Sequence, residues 1–591
     1  MKGKLNLLLL FLLIFPIIKL LPEDHPDITH LFNRVSSSIP VKTLSSPRTF
    51  HLPLKTSPPE PTDADLSETL EVQFTPLLRQ TAQELGPDPV KIYQYVKNNF
   101  TYRPYFGSLK GAERTYLEGE GNDLDLTTLL ITLLRINGIP ARYAWGEIEI
   151  SMEKIKSWMG IEKGEEAEKL FLKNGIPCQT IIEGGKITAL RIPHFYVKAY
   201  INYYPSRGAK GIEPKRWIAL DPSFSFHTFQ EGENLPHEIG LDPQTFLEEI
   251  KRKSLGEEEN SWITSLPSSY IEERMHEWGG RIKNYLFANQ KELENAIPNL
   301  EKREEKAEYL PSSFPYHLLY EEGEASEIPD ELRFKLTIEI GNLTQTFPLP
   351  ILSTLTLYYE PESDIDREVI KEHGNEDQFP CYQVQVVPVL LKNSEEIARD
   401  ESLPMGYPQD FILTLTSPTW EEKIYYRVKS GAFYHLLVNT GKISARYIEE
   451  QIEKIQNAKG GRDLLKELLH AIGLNYFYQR DSLIPLLSGS LKLYHSPQVS
   501  LLLTSYDFKV IHYEGTPYLA TQPHLQLDLL KEIYTPASWE DEENSPIFLL
   551  IQSLTSSVLE ELSLKRLPLR KPSPPPAYFT KPTLNPFPFT P

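Results

Sequence analysis

The sequence predicts a multi-domain α+β protein, and three observations lead to this fold class. The chain has 591 residues, of which 40% are hydrophobic and 11% aromatic, so it can build several cores. Between Tyr270 and Leu300, apolar residues recur every three to four positions, which indicates an amphipathic helix. After Pro329 the period changes to two, which is typical of half-buried strands. The alternating apolar residues there are Leu332, Phe334, Leu336, Ile338 and Ile340.

The N-terminus has the features of an export signal. The basic start MKGK precedes the apolar run LNLLLLFLLIFPII, which is shorter than a membrane span and suits the core of a signal. The following KLLPEDHPD contains no small-x-small cleavage site. We therefore expect residues 1–21 to be a signal or a retained anchor, with a buried helix as the alternative. The location expected is the periplasm, the cell surface or the medium.

Residues 22–70 are rich in Ser, Thr and Pro and predict an extended linker. The first folded domain is predicted at 71–235. It begins with a helical pattern around DPVKIYQYVKNNF and includes the strand-like runs HFYVKAYINYY and RWIALDPSF. Residues 152–192 form an insertion, with the helical EKIKSWMG and EEAEKLFLKNG followed by a hairpin, TIIEGGKITALRI, that has a Gly-Gly turn.

The second half of the chain is predicted to hold a separate module. A helical extension at 236–330 precedes a β-rich domain at 331–445, and helices and strands at 446–536 complete the module. Asp463 is the expected N-cap of one of these helices, and His470 on its apolar face is expected in the core. The acidic WEDEEN and a basic, Pro-rich tail occupy 537–591.

Charge and cysteine content exclude two classes of protein. The formal net charge of −20 argues against nucleic-acid binding, which usually needs a basic face. Only Cys178 and Cys381 are present, too few for a disulfide framework or a cysteine-built zinc site. We expect Cys178 to be a small buried residue within the insertion and Cys381 to open a strand in the second core.

Three motifs of the first domain could carry chemistry together. The first is GNDLD at 121–125, which runs into an apolar helix and then GIPAR. The second is PHFYVKAYI, which contains His194. The third is RWIALDPSF, which contains Asp221.

These motifs resemble the transglutaminase-like domain of the papain-like cysteine-enzyme superfamily. In that domain a Gly-Asp-Cys turn leads into an apolar helix with Leu-Leu-Arg and then Gly-Ile-Pro-Ala-Arg. A strand with His-x-Trp and a strand with Trp-x-x-Leu-Asp-Pro follow. Here LLR lies at 133–135, GIPAR at 138–142, Phe195-Tyr196 after His194, and Leu220-Asp221-Pro222 after Trp217. The resemblance implies a papain-like α+β fold, with Asp123, His194 and Asp221 at the triad positions.

A narrower resemblance involves the segment GAFYHLLVNTGKIS at 431–444. It is similar to a strand of the β-rich module that follows this domain in some exported bacterial proteins, before RHS/YD repeats. No repeat region follows it in this chain.

The triad departs from the family at its nucleophile, because Asp123 stands where the resemblance implies cysteine. A thiolate there would be activated by the helix N-terminus and by histidine, and would form a thioester with an acyl substrate. A carboxylate cannot form that thioester. Asp123 is instead expected as the N-cap of a helix at 124–135, and as a partner of protonated His194 beside Asp221.

Several uses of this centre remain open. The leading hypothesis is an exported protein whose degenerate catalytic centre binds a peptide or protein in a cleft lined by Trp145, Phe195 and Tyr196. The other form of this hypothesis is a cell-surface module that associates with the cell envelope.

One alternative is an active amidase or protease with Asp–His–Asp chemistry, in which Asp123 and His194 act through a water. Another is a purely structural domain whose cleft is filled by its own side chains, including those of the 152–192 insertion. A metal held by Asp123, His194 and Asp221 would suit zinc, but no motif supports it. No metal or cofactor is therefore predicted. Arg135 and Arg142 are expected to pair with Asp125 or nearby acids, with a substrate carboxylate as the alternative partner.

Overall fold

The computed structural model describes residues 54–538 with internal gaps, together with Gln552, Ser556, Leu559 and Ser563. The gaps are 162–163, 203–214, 231–234, 241–244, 246–247, 250–251, 254, 258–261, 266–267, 292–298, 303–309, 312, 374–380, 459–460, 491–492, 514–515 and 535–536. The expected export signal, most of the expected linker, the WEDEEN patch and the Pro-rich tail lie outside the described residues. The predicted α+β fold class is confirmed.

The first domain opens with helices that surround one buried helix. The early elements are α1 Pro76–Leu85, α2 Pro89–Asn99, β1 Thr101–Tyr102, α3 Gly111–Glu118, β2 Glu120–Gly121 and α4 Asp123–Ile136. Residues 123–135 of α4 are all buried. Its apolar side chains therefore pack on every side, as in the central helix of a mixed domain.

A five-stranded antiparallel sheet packs against α4. The next elements are β3 Ala141–Ser151, α5 Met152–Met159, α6 Gly164–Lys173, β4 Gln179–Glu183, β5 Lys186–Ile201 and β6 Arg216–Leu220. The insertion thus forms two helices and a hairpin that turns at Gly184-Gly185, both with positive φ. The insertion hairpin extends the sheet, because β4 pairs with the first part of β5.

The region expected to be a helical extension also supplies a strand to this sheet. Its elements are β7 His227–Gln230, α7 Leu235–Glu238, β8 Leu255–Glu257, β9 Trp262–Ser265, α8 Ser268–Ala288, β10 Asn299–Lys302 and β11 His317–Ala325. The strand β11 pairs antiparallel with β3, so the sheet order is β11-β3-β5-β4, with β6 on β5. The first domain therefore extends beyond the predicted boundary at 235, because β11 completes its sheet.

The described end of the expected linker is packed against the first domain. The guanidinium of Arg142 bonds the carboxylate of Asp65 at 2.7 Å and the carbonyl of Pro58 at 2.8 Å. It also stacks over Trp217, 3.9 Å from the ring centre. Buried ion pairs of this kind hold an extended segment in place even without regular secondary structure.

The β-rich module consists of two antiparallel sheets. Its elements are β12 Lys335–Ile340, β13 Leu343–Pro348, β14 Thr354–Pro361, α9 Asp364–His373, β15 Gln385–Lys392, β16 Glu395–Arg399, β17 Leu403–Pro404, β18 Pro408–Thr416, β19 Glu421–Lys429 and β20 Phe433–Asn439. The first sheet has the order β13-β12-β18-β19. The alternating residues Phe334 to Ile340 are buried, as the period of two predicts.

Two helices and a long hairpin complete the module. They are α10 Ala445–Asn457, α11 Gly461–Ser490, β21 Leu493–Tyr494, β22 Pro497–Tyr513, β23 Thr516–Tyr534 and β24 Ala537–Ser538. The second sheet runs β16-β15-β14-β20-β22-β23, with β17 on β15. Asp463 lies in the first turn of α11 rather than at its N-cap, because the helix already begins at Gly461. No helix in the described part of the chain combines the length and apolar character of a membrane span.

Candidate functional site

The start of α4 is capped by Asn122, not by Asp123 as expected. Asn122 has extended backbone angles, and its Oδ1 accepts the backbone N–H of Asp125 at 2.8 Å. Its amide also donates to the carbonyls of Tyr105 and Gly107, each at 2.9 Å. Because Asn122 satisfies the helix N-terminus, the carboxylate of Asp123 is available for partners outside the helix.

Asp125 has an architectural role on the opposite side of this turn. It is fully buried and accepts the hydroxyl of Tyr105 at 2.7 Å. It also accepts the backbone N–H groups of Leu109, Lys110 and Gly111 at 3.1–3.2 Å, where α3 begins. Burial raises the pKa of this carboxyl, although these donors oppose the shift. Asp125 thus fixes the loop before α3 and points away from Asp123.

The strand register places the other two triad positions. His194 on β5 lies opposite Gly146 on β3. Asp221 directly follows β6, whose last residue Leu220 pairs with Val197 of β5. The antiparallel pairing therefore brings the end of β6 beside His194, while the packing of α4 on the sheet brings Asp123 to its other side.

The structure brings Asp123, His194 and Asp221 together. The carboxylate of Asp123 lies 3.1 Å from Nδ1 of His194, and that of Asp221 lies 3.0 Å from Nε2. Asp123 also accepts the backbone N–H of Phe195 at 2.9 Å. The other oxygen of Asp221 accepts the hydroxyl of Ser223 at 2.6 Å and its backbone N–H at 2.8 Å. Both ring nitrogens of the histidine are therefore engaged by carboxylates.

Asp123, His194 and Asp221 are called the trio below. Their electrostatics favour a charged histidine. Burial alone would lower the pKa of His194, but the charges and hydrogen bonds of Asp221 and Asp123 outweigh it and raise the value to about 10. Burial would likewise raise the pKa of Asp221, yet the imidazolium and Ser223 lower it to about 2. At neutral pH the site thus holds an imidazolium beside the Asp221 carboxylate.

Aromatic side chains close the site to solvent. His194 is 1% exposed and Asp123 6%. The indole of Trp158, from insertion helix α5, meets the imidazole edge-on at 5.9 Å and donates its N–H to the carbonyl of Ser223 at 3.1 Å. The ring of Tyr316 lies 5.0 Å from the imidazole. The insertion and the segment before β11 therefore cover His194.

The three aromatic residues expected to line a cleft lie inside the first domain. Trp145 is 0% exposed, and Phe195 and Tyr196 are each 1% exposed. Strand β11 covers Trp145 so closely that a Cβ at Gly323 would lie 2.5 Å from its ring. In this arrangement these side chains form no open groove, and a ligand-binding role for them stays a prediction.

One of the two arginines has other partners than those expected. Arg135 donates to the backbone carbonyls of Ala141, Ser67 and Ser326 and not to Asp125, because these carbonyls surround the buried end of α4. Arg142 pairs with Asp65 and Glu324, which is consistent with the general expectation of an acidic partner.

The remaining sequence expectations are met in part. Cys178 is partly exposed, and burial raises the pKa of its thiol to about 12. Cys381 is fully buried, but it opens a short 3-10 helix rather than a strand. His470 is only partly buried and lies 3.0 Å from His435.

Within the described residues, no group of three His, Cys, Asp or Glu side chains has an arrangement that could hold a metal ion. Both imidazole nitrogens of His194 are occupied by carboxylates, so this trio has no nitrogen ligand to offer. The expectation of no metal or cofactor remains a prediction.

Comparison with known families agrees with this geometry over the first domain. A family model described as the transglutaminase-like superfamily matches residues 76–222. Those residues therefore form a transglutaminase-like domain. Comparisons with curated proteins and with solved structures find no match to the chain.

The motifs did not reveal Trp158, Tyr316 or Ser223 as parts of the site. Trp158 could have been suspected, since Met152, Ile155 and Met159 share its apolar helix face in the insertion. Tyr316 carried no signal, because it reaches His194 only after the sheet is extended by β11.

Proposed function

We propose that this is an exported protein whose transglutaminase-like domain is catalytically inactive and serves as a structural support for the β-rich module. One observation carries the proposal. His194 is enclosed between Asp123 at 3.1 Å and Asp221 at 3.0 Å, in a site with almost no access for a substrate.

Chemistry by this trio is disfavoured at each step. A general base must be unprotonated at the working pH, but the two carboxylates raise the pKa of His194 to about 10. To activate a water, Nδ1 of His194 would have to accept a proton from it, and that nitrogen already faces the carboxylate of Asp123. A carboxylate at this place is a weak nucleophile toward amides. The trio is better suited to binding the helix, the sheet and the segment after β6 together.

Buried contacts between the two halves of the chain support a scaffold role. Arg114 of α3 donates to the carbonyl of Leu349 at 3.3 Å, and Thr440 donates to Glu118 at 2.8 Å. Gln498 at the start of β22 donates to Asn174 at 2.9 Å. These polar contacts are desolvated, so they fix the orientation of the module on the first domain.

An amine-incorporation and amide-hydrolysis assay tests the loss of catalysis. The wild-type chain should give no more product than His194→Ala or a blank without protein. Wild-type turnover that disappears in both His194→Ala and Asp123→Ala would establish the alternative Asp–His–Asp enzyme instead.

A peptide ligand in the former cleft would require Trp158 and Tyr316 to move away. The proposal therefore places no ligand there. Titration with glutamine-containing peptides checks this point, because saturable binding lost in Phe195→Ala but kept in a distant surface variant would favour the binding hypothesis.

The proposal that the protein is exported rests on the basic start and the apolar run within residues 1–21. Fusing this segment to a reporter enzyme that is active only outside the cytoplasm should give an active reporter. A fusion in which Lys2 and Lys4 remain and the apolar run is replaced by polar residues is the control. Equal reporter activity from both fusions would contradict export by this segment.

A further inference from the structure

A cavity of about 350 Å³ lies away from the triad, where the two halves of the chain meet. Its walls come from α3, the start of β14, the turn between β15 and β16, the strand β20, and the helices α10 and α11. Five lining residues belong to the GAFYHLLVNTGKIS segment, namely His435, Leu437, Val438, Asn439 and Ile443. Volumes of this size are typical of small-molecule sites.

A buried polar relay leads to this cavity. His435 lies in the middle of β20, in which every residue is buried. Its Nδ1 lies 3.0 Å from the hydroxyl of Thr356, and its Nε2 lies 3.0 Å from Nδ1 of His470. An imidazole inside a sheet is costly to desolvate, so it is placed there only with such partners. The relay ends at His470, which is partly exposed and lines the cavity.

Each carboxylate in the cavity wall has a cationic partner. Glu118 pairs with Lys110 at 2.8 Å, and Glu450 pairs with Arg446 at 2.9 Å. Glu467 pairs with Lys466, also at 2.9 Å. Each of the three therefore has its charge offset at least in part by a cation, although Lys110 is shared with Glu120 at 3.6 Å.

Two cations in the wall have no such compensation. The guanidinium of Arg114 donates to backbone carbonyls and to the hydroxyl of Ser353, and Lys454 is exposed at the rim. Neither has a carboxylate partner within the described parts of the chain. Burial, with Lys454 and Lys466 nearby, lowers the pKa of His470 to about 3. The positive charges of Arg114 and Lys454 line this part of the wall, so an anion would be attracted there.

We infer that this cavity binds a small organic carboxylate. The carboxylate group of the bound ligand lies toward Lys454 and Nε2 of His470, near the positive charge of Arg114. Its apolar part packs against Leu437 and Ile443. Binding selects the tautomer in which Thr356 donates to His435, His435 donates to His470, and His470 presents an Nε2–H to the ligand. Because this cavity lies apart from the triad, the inference does not depend on the proposed loss of catalysis.

Calorimetric titration of the full chain with hexanoate tests the inference. Hexanoate should bind saturably at millimolar concentration, and the uncharged hexanamide should bind at least about tenfold more weakly because it lacks the ionic contacts. Lys454→Gln should weaken hexanoate binding about tenfold, and His470→Gln should weaken it as well. Lys454 is exposed, so its replacement leaves the fold intact, which the thermal unfolding midpoint verifies.

Lys91→Gln is the matched control, since Lys91 is an exposed helical lysine far along the chain in α2. It should bind hexanoate like the wild type. Equal affinity for hexanoate and hexanamide would overturn the inference, and so would absence of saturable hexanoate binding. Equal losses in Lys454→Gln and Lys91→Gln would also overturn it, because the effect would then reflect net charge alone.

Discussion

The carboxylate of Asp123 lies 3.1 Å from Nδ1 of His194, at the position where the sequence resemblance predicts a cysteine nucleophile. A carboxylate in place of a thiol changes how the side chain at position 123 interacts with the histidine. A thiol and a neutral imidazole can exchange a proton, whereas a carboxylate and an imidazolium form a lasting ion pair. Asp123 therefore stabilises the charged form of His194, and a charged imidazolium cannot act as a general base toward a water.

Replacing Asp123 by Asn should destabilise the first domain. The variant keeps the shape of the side chain but leaves the buried His194 with one carboxylate instead of two. Breaking a buried ion pair from one side is strongly destabilising, so we expect a loss of roughly 3 kcal/mol in the free energy of unfolding. Chemical denaturation measures it. Asp364→Asn is the control, because the side chain of Asp364 is 91% exposed and its loss should change little.

The stability supplied by the trio should depend on pH in a defined direction. The pKa of His194 rises from 6.5 to about 10 on folding, so its contribution is complete below pH 6.5 and is lost as the pH rises through 10. The pKa of Asp221 falls from 3.8 to about 2, so its contribution is complete above pH 3.8 and is lost as the pH falls through 2. The combined effect is therefore largest between pH 3.8 and 6.5.

The difference in unfolding free energy between the wild type and His194→Gln isolates this effect, since the other titrating groups largely cancel. The difference should be constant over that plateau and should shrink steadily toward alkaline pH. A difference that grows between neutral and alkaline pH would contradict the assignment of an imidazolium to the folded state.

The sequence could indicate which residues meet, but not how the site is closed. The order of GIPAR, the His194 strand and the Asp221 strand reflects the local connectivity of a helix and two paired strands. The cover depends on tertiary packing, because Trp158 comes from an insertion and Tyr316 follows a long intervening segment. The sequence also could not decide which residue caps the start of α4. Asn122 and Asp123 are both good capping residues, and only the position of His194 and Phe195 decides which one points outward.

A thiol placed at position 123 should be shielded by the insertion. We expect the Asp123→Cys variant to react slowly with iodoacetamide at neutral pH, since Trp158 and Tyr316 cover the site. Adding Trp158→Ala removes an indole that is 1% exposed, and alkylation at position 123 should then become faster. Peptide mass spectrometry measures both rates. Cys178 provides an internal reference, because burial raises the pKa of its thiol to about 12 and should keep it slow in both variants.

Equal alkylation rates at position 123 in the single and double variants would show that Trp158 does not control access. Trp158→Ala should also reduce stability by roughly 3 kcal/mol or more through the cavity that it leaves. Thermal unfolding of the double variant therefore accompanies the rate measurement, and rates are compared well below its midpoint. Faster alkylation at 123 with an unchanged rate at Cys178 separates local opening from general unfolding.

Arg142 should hold the segment that precedes the first domain. Its guanidinium is fully buried and contacts Asp65 at 2.7 Å, Glu324 at 3.1 Å and the carbonyl of Pro58 at 2.8 Å. In Arg142→Ala, Asp65 loses its cation while Glu324 keeps Lys198 at 2.8 Å, and residues 54–66 should detach and become sensitive to limited proteolysis. We expect a stability loss of roughly 3 kcal/mol as well. Arg142→Lys should recover only part of this stability, because an ammonium cannot make the paired contacts of the planar guanidinium.

Arg367→Ala is the control: it removes an exposed pair with Asp364 and should leave cleavage within 54–66 unchanged. Equal cleavage rates in this segment for Arg142→Ala and the wild type would mean that the buried ion pairs are not what fixes it.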